Sequence, residues 1–265
     1  MKRFSSVLAS TLFLISCSSD DNQPSETVDG SDPLTKSLVE LGAAYGTESR
    51  QFLDIYKAES QCATPIYFDA HFNGGSTTSI SSEIIADLNA EGITVISWES
   101  LTSVNTPEEV ETGWSDAELM FQWVIDNAKT YNLDISNIII GGSSRGSILS
   151  WVYGHRPNTN IKGLYFYNAL PSTVWADPSW WLPTENVTAE SPPIYFVYNR
   201  EPGSSNNTTN PDIHDPNNGI TIVTQYENHG IGDRAQHVHS IGETDNNDRY
   251  QFLVDFALSV IETCP

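Results

Sequence analysis

The chain has 265 residues and carries 12 Lys and Arg against 34 Asp and Glu, a net charge of −22. The acidic groups are scattered and not gathered in runs, so they describe a solvated surface and argue against nucleic acid or an anionic polymer as a tight ligand. No period of roughly 20–50 residues recurs, which argues against a solenoid or propeller.

The N-terminus reads as a processing signal. Lys2 and Arg3 form a positive n-region, and Val7 to Ile15 is an apolar stretch, far short of the roughly 20 residues a bilayer-spanning helix needs. It ends in L-I-S-C, Leu14 to Cys17, which resembles a bacterial lipoprotein box. The resemblance implies a signal peptide over 1–16, cleavage before Cys17, lipidation (palmitate) of its thiol, and a place on the outer face of a bacterial membrane in the cell envelope. An ordinary secretory signal is the alternative. Ser18 to Pro33 is rich in Ser, Asp, Asn and Pro; such a segment buries too little apolar surface to offset its ordering entropy. Residues 17–36 are therefore expected to be a flexible tether, and 37–265 a single catalytic domain. Without Lys2 and Arg3, 10 basic groups face 34 acidic ones, a net charge of −24. Cys62 and Cys264 are then the remaining thiols, free to pair in an oxidising compartment if geometry allows; two thiols make a poor zinc signal.

Strand-like and helix-like segments alternate through the domain, which predicts an α/β fold: a mostly parallel central sheet with helices on both faces. Phe52 to Tyr56 alternates like a strand, and Pro65 to Ala70 is the next, running into H-F-N-G-G. Ser81 to Ala90 has helical spacing and Ile93 to Trp98 is an apolar strand. The strongest helix signal is Ser115 to Tyr131, with Ser115 and Glu118 as a capping box and Leu119, Trp123 and Ala128 as its buried stripe. Asn137 to Gly141 reads as a fully apolar central strand. Leu164 to Tyr167 and Ile194 to Tyr198 are further strands, and Gln251 to Ile261 is a closing amphipathic helix.

Directly after the central strand comes G-G-S-S-R-G-S, Gly141 to Ser147. It contains G-x-S-x-G with Ser144 at its centre, and Ser147 to Tyr153 can follow as a helix. A serine on a sharp strand-to-helix turn has strained backbone dihedrals and needs small neighbours, while the helix N-terminus behind it favours developing negative charge. Some 70 residues earlier, His71 to Gly75 ends a strand with a glycine turn. Acyl transfer needs backbone N–H donors aimed at the developing oxyanion; Arg145, Asn73 and Gly74 are the candidates.

These segments resemble the carboxylesterase and hormone-sensitive-lipase-like branch of the α/β-hydrolases. F-L-D-I-Y followed by P-I-Y-F-D-A-H-F-N-G-G is similar to the family's oxyanion strand and loop. W-S-D-A-E-L-M-F-Q-W-V-I-D-N-A-K-T-Y-N-L-D-I-S-N-I-I-I-G-G-S-S-R-G is similar to the helix leading into its nucleophile strand. The likeness covers Leu53 to Ser150 well and the rest poorly. Two departures, Phe72 and Asn73 in place of glycines and Arg145 in place of a small residue, are expected to narrow the site around the acyl group. The resemblance implies an acid after the strand at Ile194: Asp212 has the D-x-x-x-P spacing, with Asp215 and Glu201 as alternatives, and Asp215 is also suited to capping the segment from Asn217. It implies a histidine base after one more helix and strand. With Gly219 to Asn228 as that helix and Ala235 to His239 as that strand, the base is His239 or His237. With Ile220 to Tyr226 as the strand, it is His229. His155 and His214 read as structural or exposed.

Between the strands at Tyr165 and Tyr195, Val174 to Pro183 holds three tryptophans and two prolines, a lid, a sugar platform or a satellite hydrophobic cluster. The expected activity is serine-dependent hydrolysis of a carboxylic ester through an acyl-enzyme, on a small-molecule or acylated carbohydrate substrate. No metal or organic cofactor is implied, the expected membrane contact is the lipid anchor, and nucleic acid is not a partner. The alternative from another class is a catalytically lapsed hydrolase fold serving as a surface binding protein.

Overall fold

Five short apolar runs, with β-branched and aromatic residues at most positions, supply the centre of the fold, and each is a strand buried on both sides. In chain order the elements are β1 (Leu38–Ala44), β2 (Phe52–Tyr56), β3 (Thr64–Ala70), α1 (Ser82–Ala90), β4 (Thr94–Trp98), α2 (Pro107–Tyr131), β5 (Leu133–Ser143) and α3 (Arg145–Gly154). Then follow β6 (Ile161–Tyr167), β7 (Ile194–Val197), α4 (Asn217–Asn228), β8 (Ala235–Val238) and α5 (Asn246–Val260). This computed structural model describes residues 38–157, 159–171, 181–203, 213–241 and 246–263, which belong to a compact unit spanning Lys36–Pro265. The expected signal peptide and tether, Cys17, Cys264, Asp212 and most of the tryptophan-rich segment lie outside the described residues.

The eight strands form one sheet in the order β1-β2-β4-β3-β5-β6-β7-β8. Only β1 against β2 and β2 against β4 run antiparallel; every pairing from β4 to β8 is parallel. Because side chains alternate along a strand, the sheet divides its apolar residues between two cores. Phe68, Ile96, Ile140, Phe166 and Phe196 face α2, α3 and α4. Tyr67, Val95, Ile139, Tyr165 and Val197 face α1 and α5. Burial on both faces is the reason these strands read as continuous apolar runs, and the expected mostly parallel sheet with helices on both sides is the architecture found.

The largest departure from the sequence reading is α2. It begins at Pro107, eight residues before the expected start, capped by Thr106 with Glu109 in a capping box and Pro107 in the first turn. Ser115, read as the cap, lies inside the helix and its hydroxyl donates to the Glu111 carbonyl. The buried stripe is correspondingly different: Val110, Ala117, Met120, Phe121, Val124 and Ala128 are buried, whereas Leu119 is 48% exposed. Asp116 on this helix is buried and accepts from Arg50 Nε, Gln51 Nε2 and Ser100 Oγ at 2.6–2.9 Å, tying α2 to the β1–β2 turn and to the end of β4. Strand β1 was not foreseen. Cys62 is in a disulfide, and both other cysteines lie outside the described residues. No helix among the described residues is long and apolar enough to cross a membrane.

Candidate active site

Ser144 sits between β5 and α3 with φ 51° and ψ −114°, a left-handed conformation that a non-glycine residue adopts only when its surroundings over-determine it. They do. The Ser144 N–H donates to the Tyr167 carbonyl at 3.0 Å, and its own carbonyl accepts from the N–H and the hydroxyl of Ser147 at 2.9 and 2.6 Å. Ser150 Oγ donates to the Gly141 carbonyl, binding the new helix to the strand it left. The flanking glycines are forced by contact: a Cβ at Gly142 would lie 2.4 Å from the Gly146 carbonyl carbon, and one at Gly146 would lie 1.9 Å from the Ala70 oxygen. The G-x-S-x-G spacing is thus the packing condition of this turn.

Ser144 Oγ lies 2.9 Å from His214 Nε2. His214 follows β7 in the loop leading to α4, and it was set aside in the sequence as structural or exposed. The histidines expected as base make their contacts elsewhere. His239 Nδ1 hydrogen-bonds Ser240 Oγ at 2.7 Å and lies 3.7 Å from Glu201 on an open surface, the two side chains being 38% and 78% exposed. His237 Nε2 donates to the Pro216 carbonyl at 2.9 Å; burial lowers its pKa, and this bond opposes the shift. His229 is the exposed C-terminal cap of α4, and Ile220 to Tyr226, the rival strand, lies within that helix. The histidine that meets the serine comes from the segment between β7 and α4, at the C-terminal edge that parallel strands share. What sequence reasoning missed was legible in one respect: P-D-I-H-D-P places a histidine between two carboxylates in the loop already chosen for the acid.

Of the acid candidates, Asp215 is buried and accepts from the Asn217 N–H at 2.9 Å and the Gly203 N–H at 3.1 Å, the capping role open to it in the sequence. Glu201 faces His239. Asp212 lies outside the described residues.

The loop after β3 is held down at two points. Gly74 N–H donates to the Thr102 carbonyl at 2.9 Å, which removes it from the expected oxyanion donors, and Asn73 Oδ1 accepts from the Val104 N–H. Arg145 is the first residue of α3, so its N–H has no acceptor within the helix. Its side chain does not crowd the acyl site as the sequence suggested. It is 1% exposed and turned beneath the loop, where Nη2 lies 2.9 Å from the His71 ring nitrogens and 3.3 Å from the His71 carbonyl. His71 Nε2 lies 2.5 Å from Glu99 Oε1, and its Nδ1 lies 2.9 Å from the Phe72 carbonyl as well as from Arg145 Nη2. Burial lowers the Arg145 pKa to about 10, with Glu99 and Tyr45 opposing the shift. Among the described residues no cluster of three or more His, Cys, Asp or Glu side chains is placed to hold a metal.

Sheet order, helix placement and the strained serine turn define an α/β-hydrolase fold. Solved structures that share it include a truncated carbohydrate esterase from gut microbiota (TM-score 0.63, 16% identity, covering 86% of this chain and 98% of that one). A bifunctional GH43-CE protein of Bacteroides eggerthii matches at TM-score 0.67 and 13% identity, over 86% of this chain but 39% of its own length. A hyperthermophilic esterase from the archaeon Pyrobaculum calidifontis matches at 0.60 and 14%, over 78% and 80%. No family model and no curated protein matches the sequence.

Proposed function

We propose that this protein is a serine-dependent carboxylic-ester hydrolase working through an acyl-enzyme, with an acylated carbohydrate as its substrate. The observation that carries the reading is the 2.9 Å contact between Ser144 Oγ and His214 Nε2, on a turn whose backbone is held in place around the serine. Ser144 attacks the ester carbonyl while His214 takes its proton. The N–H groups of Arg145 and Asn73 receive the oxyanion, and the α3 N-terminus adds its dipole. His214 then returns the proton to the leaving alcohol, and water repeats the sequence to free the acid. Asp212, taken from the sequence alone, is the proposed orienting acid. A neighbouring imidazole works against the lapsed-hydrolase alternative, because a binding protein has no need of one at this serine.

The direct test is covalent labelling by a fluorophosphonate probe together with hydrolysis of p-nitrophenyl acetate. Both are expected in the wild type and absent in Ser144→Ala, which should remain folded because the hydroxyl buries little area; turnover retained in that variant would overturn the assignment. Anchoring in the cell envelope through Cys17 rests on the L-I-S-C motif alone. Cys17→Ser should move the protein from the membrane to the soluble fraction, and continued membrane association would require another anchor.

A further inference from the structure

A pocket of about 240 Å³ lies beside the serine turn on the α1/α5 side of the sheet. Gly142 and Ser143, the two residues before Ser144, form part of its wall, as do His71 and Phe72 of the loop after β3. It lies below the roughly 300 Å³ at which pockets for drug-sized ligands begin, a scale that fits one small ring. Its chemistry is unusual for a site meant only for an acyl chain. Asp69 from β3 and Arg249 from α5 both line it, among Tyr67, Tyr165, Tyr167 and Tyr250.

These groups are held in place. The Arg249 guanidinium carbon lies 4.1 Å from the Tyr167 ring centroid and 5.0 Å from that of Tyr250, a cation–π arrangement with both rings. The Tyr165 hydroxyl donates to the Arg249 carbonyl at 2.7 Å, and the Tyr67 hydroxyl lies 3.4 Å from Asp69 Oδ1. Desolvation raises the Asp69 pKa, opposed by Arg249, His71 and Tyr67. An apolar acyl chain would leave much of the hydrogen-bonding capacity of a carboxyl and a guanidinium unused, which is unfavourable in a partly dry site. An anion meets Asp69, and a cation meets Arg249. A neutral ligand whose adjacent hydroxyls both donate and accept suits the pair, since a carboxylate accepts and a guanidinium donates. The tyrosine rings supply flat apolar faces for the C–H side of such a ring.

We propose that this pocket is the subsite for a single sugar ring that carries the scissile ester, with Asp69 and Arg249 reading its hydroxyls and the tyrosines packing on its face. The proposal rests on Ser144 being the nucleophile, and it makes Asp69 and Arg249 specificity-determining residues with no part in the proton transfers.

Two measurements test it. In steady-state kinetics, Asp69→Asn and Arg249→Met should raise KM for a mono-O-acetylated methyl xyloside by about 10–100-fold, the scale of a lost hydrogen bond to a charged group. Their effect on p-nitrophenyl acetate, which has no sugar, should be at least about 10-fold smaller. Equal losses on both esters, or none on the glycoside, would overturn the proposal. Saturation-transfer NMR of methyl β-xyloside with Ser144→Ala does not depend on turnover. Transfer to the ring protons is expected, and should vanish when Arg249→Met is added. No transfer, transfer insensitive to that change, or stronger transfer to a free amino acid would each reject the subsite. Absence of both p-nitrophenyl acetate hydrolysis and fluorophosphonate labelling in the wild type would instead reject the nucleophile.

Discussion

At the residue scale, four histidines compete for one role, and contact distance separates them. His214→Ala removes the imidazole that lies 2.9 Å from Ser144 Oγ and should lower kcat by at least about 10³-fold, because a nucleophile and its base act as a unit. His239→Ala and His229→Ala alter exposed side chains away from the serine and should stay within a few-fold of wild type. His237→Ala should act on stability, through loss of its bond to the Pro216 carbonyl, which keeps the Gly219 N–H as a donor. Steady-state kinetics on p-nitrophenyl acetate checks the set, and a full-rate His214→Ala would remove the base assignment. Arg145 shows a different lesson. Its backbone N–H and its side chain face opposite tasks: the amide opens α3 beside the serine, while the buried guanidinium supports the His71 carbonyl and ring from below. A family pattern that records only residue size at this position cannot express that division.

At the element scale, α2 decides how the nucleophile strand is approached. The capping box expected at Ser115 and Glu118 gives way to one that starts nine residues earlier, at Thr106. Thr106 and Glu109 bond each other's orphan N–H groups, Pro107 fits the first turn, and the extra turns bury Val110 against the main core and place Asp116 within reach of Arg50, Gln51 and Ser100. Thr106→Ala should therefore cost about 1 kcal/mol. Ser115→Ala should be neutral or slightly stabilising, because alanine is the better helix former and the serine only bonds back to its own helix. Urea denaturation of the two variants measures this directly, and a larger loss for Ser115→Ala would place the helix start where the local pattern put it. The serine turn is the converse case, in which local pattern and packing agree: the glycines demanded by the motif are the ones a Cβ would drive into Gly146 and Ala70.

At the scale of the whole molecule, His155 links stability to pH. It is buried between α3 and α4, with Nδ1 donating to the Trp151 carbonyl at 3.0 Å and Nε2 lying 3.2 Å from the Tyr226 hydroxyl. Burial lowers its pKa from 6.5 to about 4, the bond to Trp151 opposing the shift. A folded-state pKa below the unfolded one means that the fold favours the neutral ring. Its contribution is fully present above pH 6.5 and is lost as pH falls towards 4, an effect of about 3 kcal/mol. His155→Gln should lower stability at pH 7 yet flatten its decline between pH 7 and pH 4.5, seen in denaturation midpoints at the two pH values. An unchanged slope would show that the ring is not protonated on unfolding in this range.

Apart from β1, the order of strands and helices along the chain, the two-sided burial of the sheet and the position of Ser144 were determined by the sequence itself. Each depends on local signals: apolar runs such as Ile138–Ile140, and glycines at positions where any Cβ collides. The start of α2 is equally local in kind, but the sequence reading took Ser115 for its cap, and the structure, in which Val110 is buried, places the cap at Thr106. Which histidine meets Ser144 was decided by tertiary structure alone. Parallel strands bring all their C-terminal ends to one edge of the sheet, so residues 70 apart in the chain, Ser144 and His214, meet there. Chain order says which loops reach that edge, but which side chain touches the serine depends on how those loops fold over it. That placement belongs to the tertiary structure and is written in no single segment of the chain.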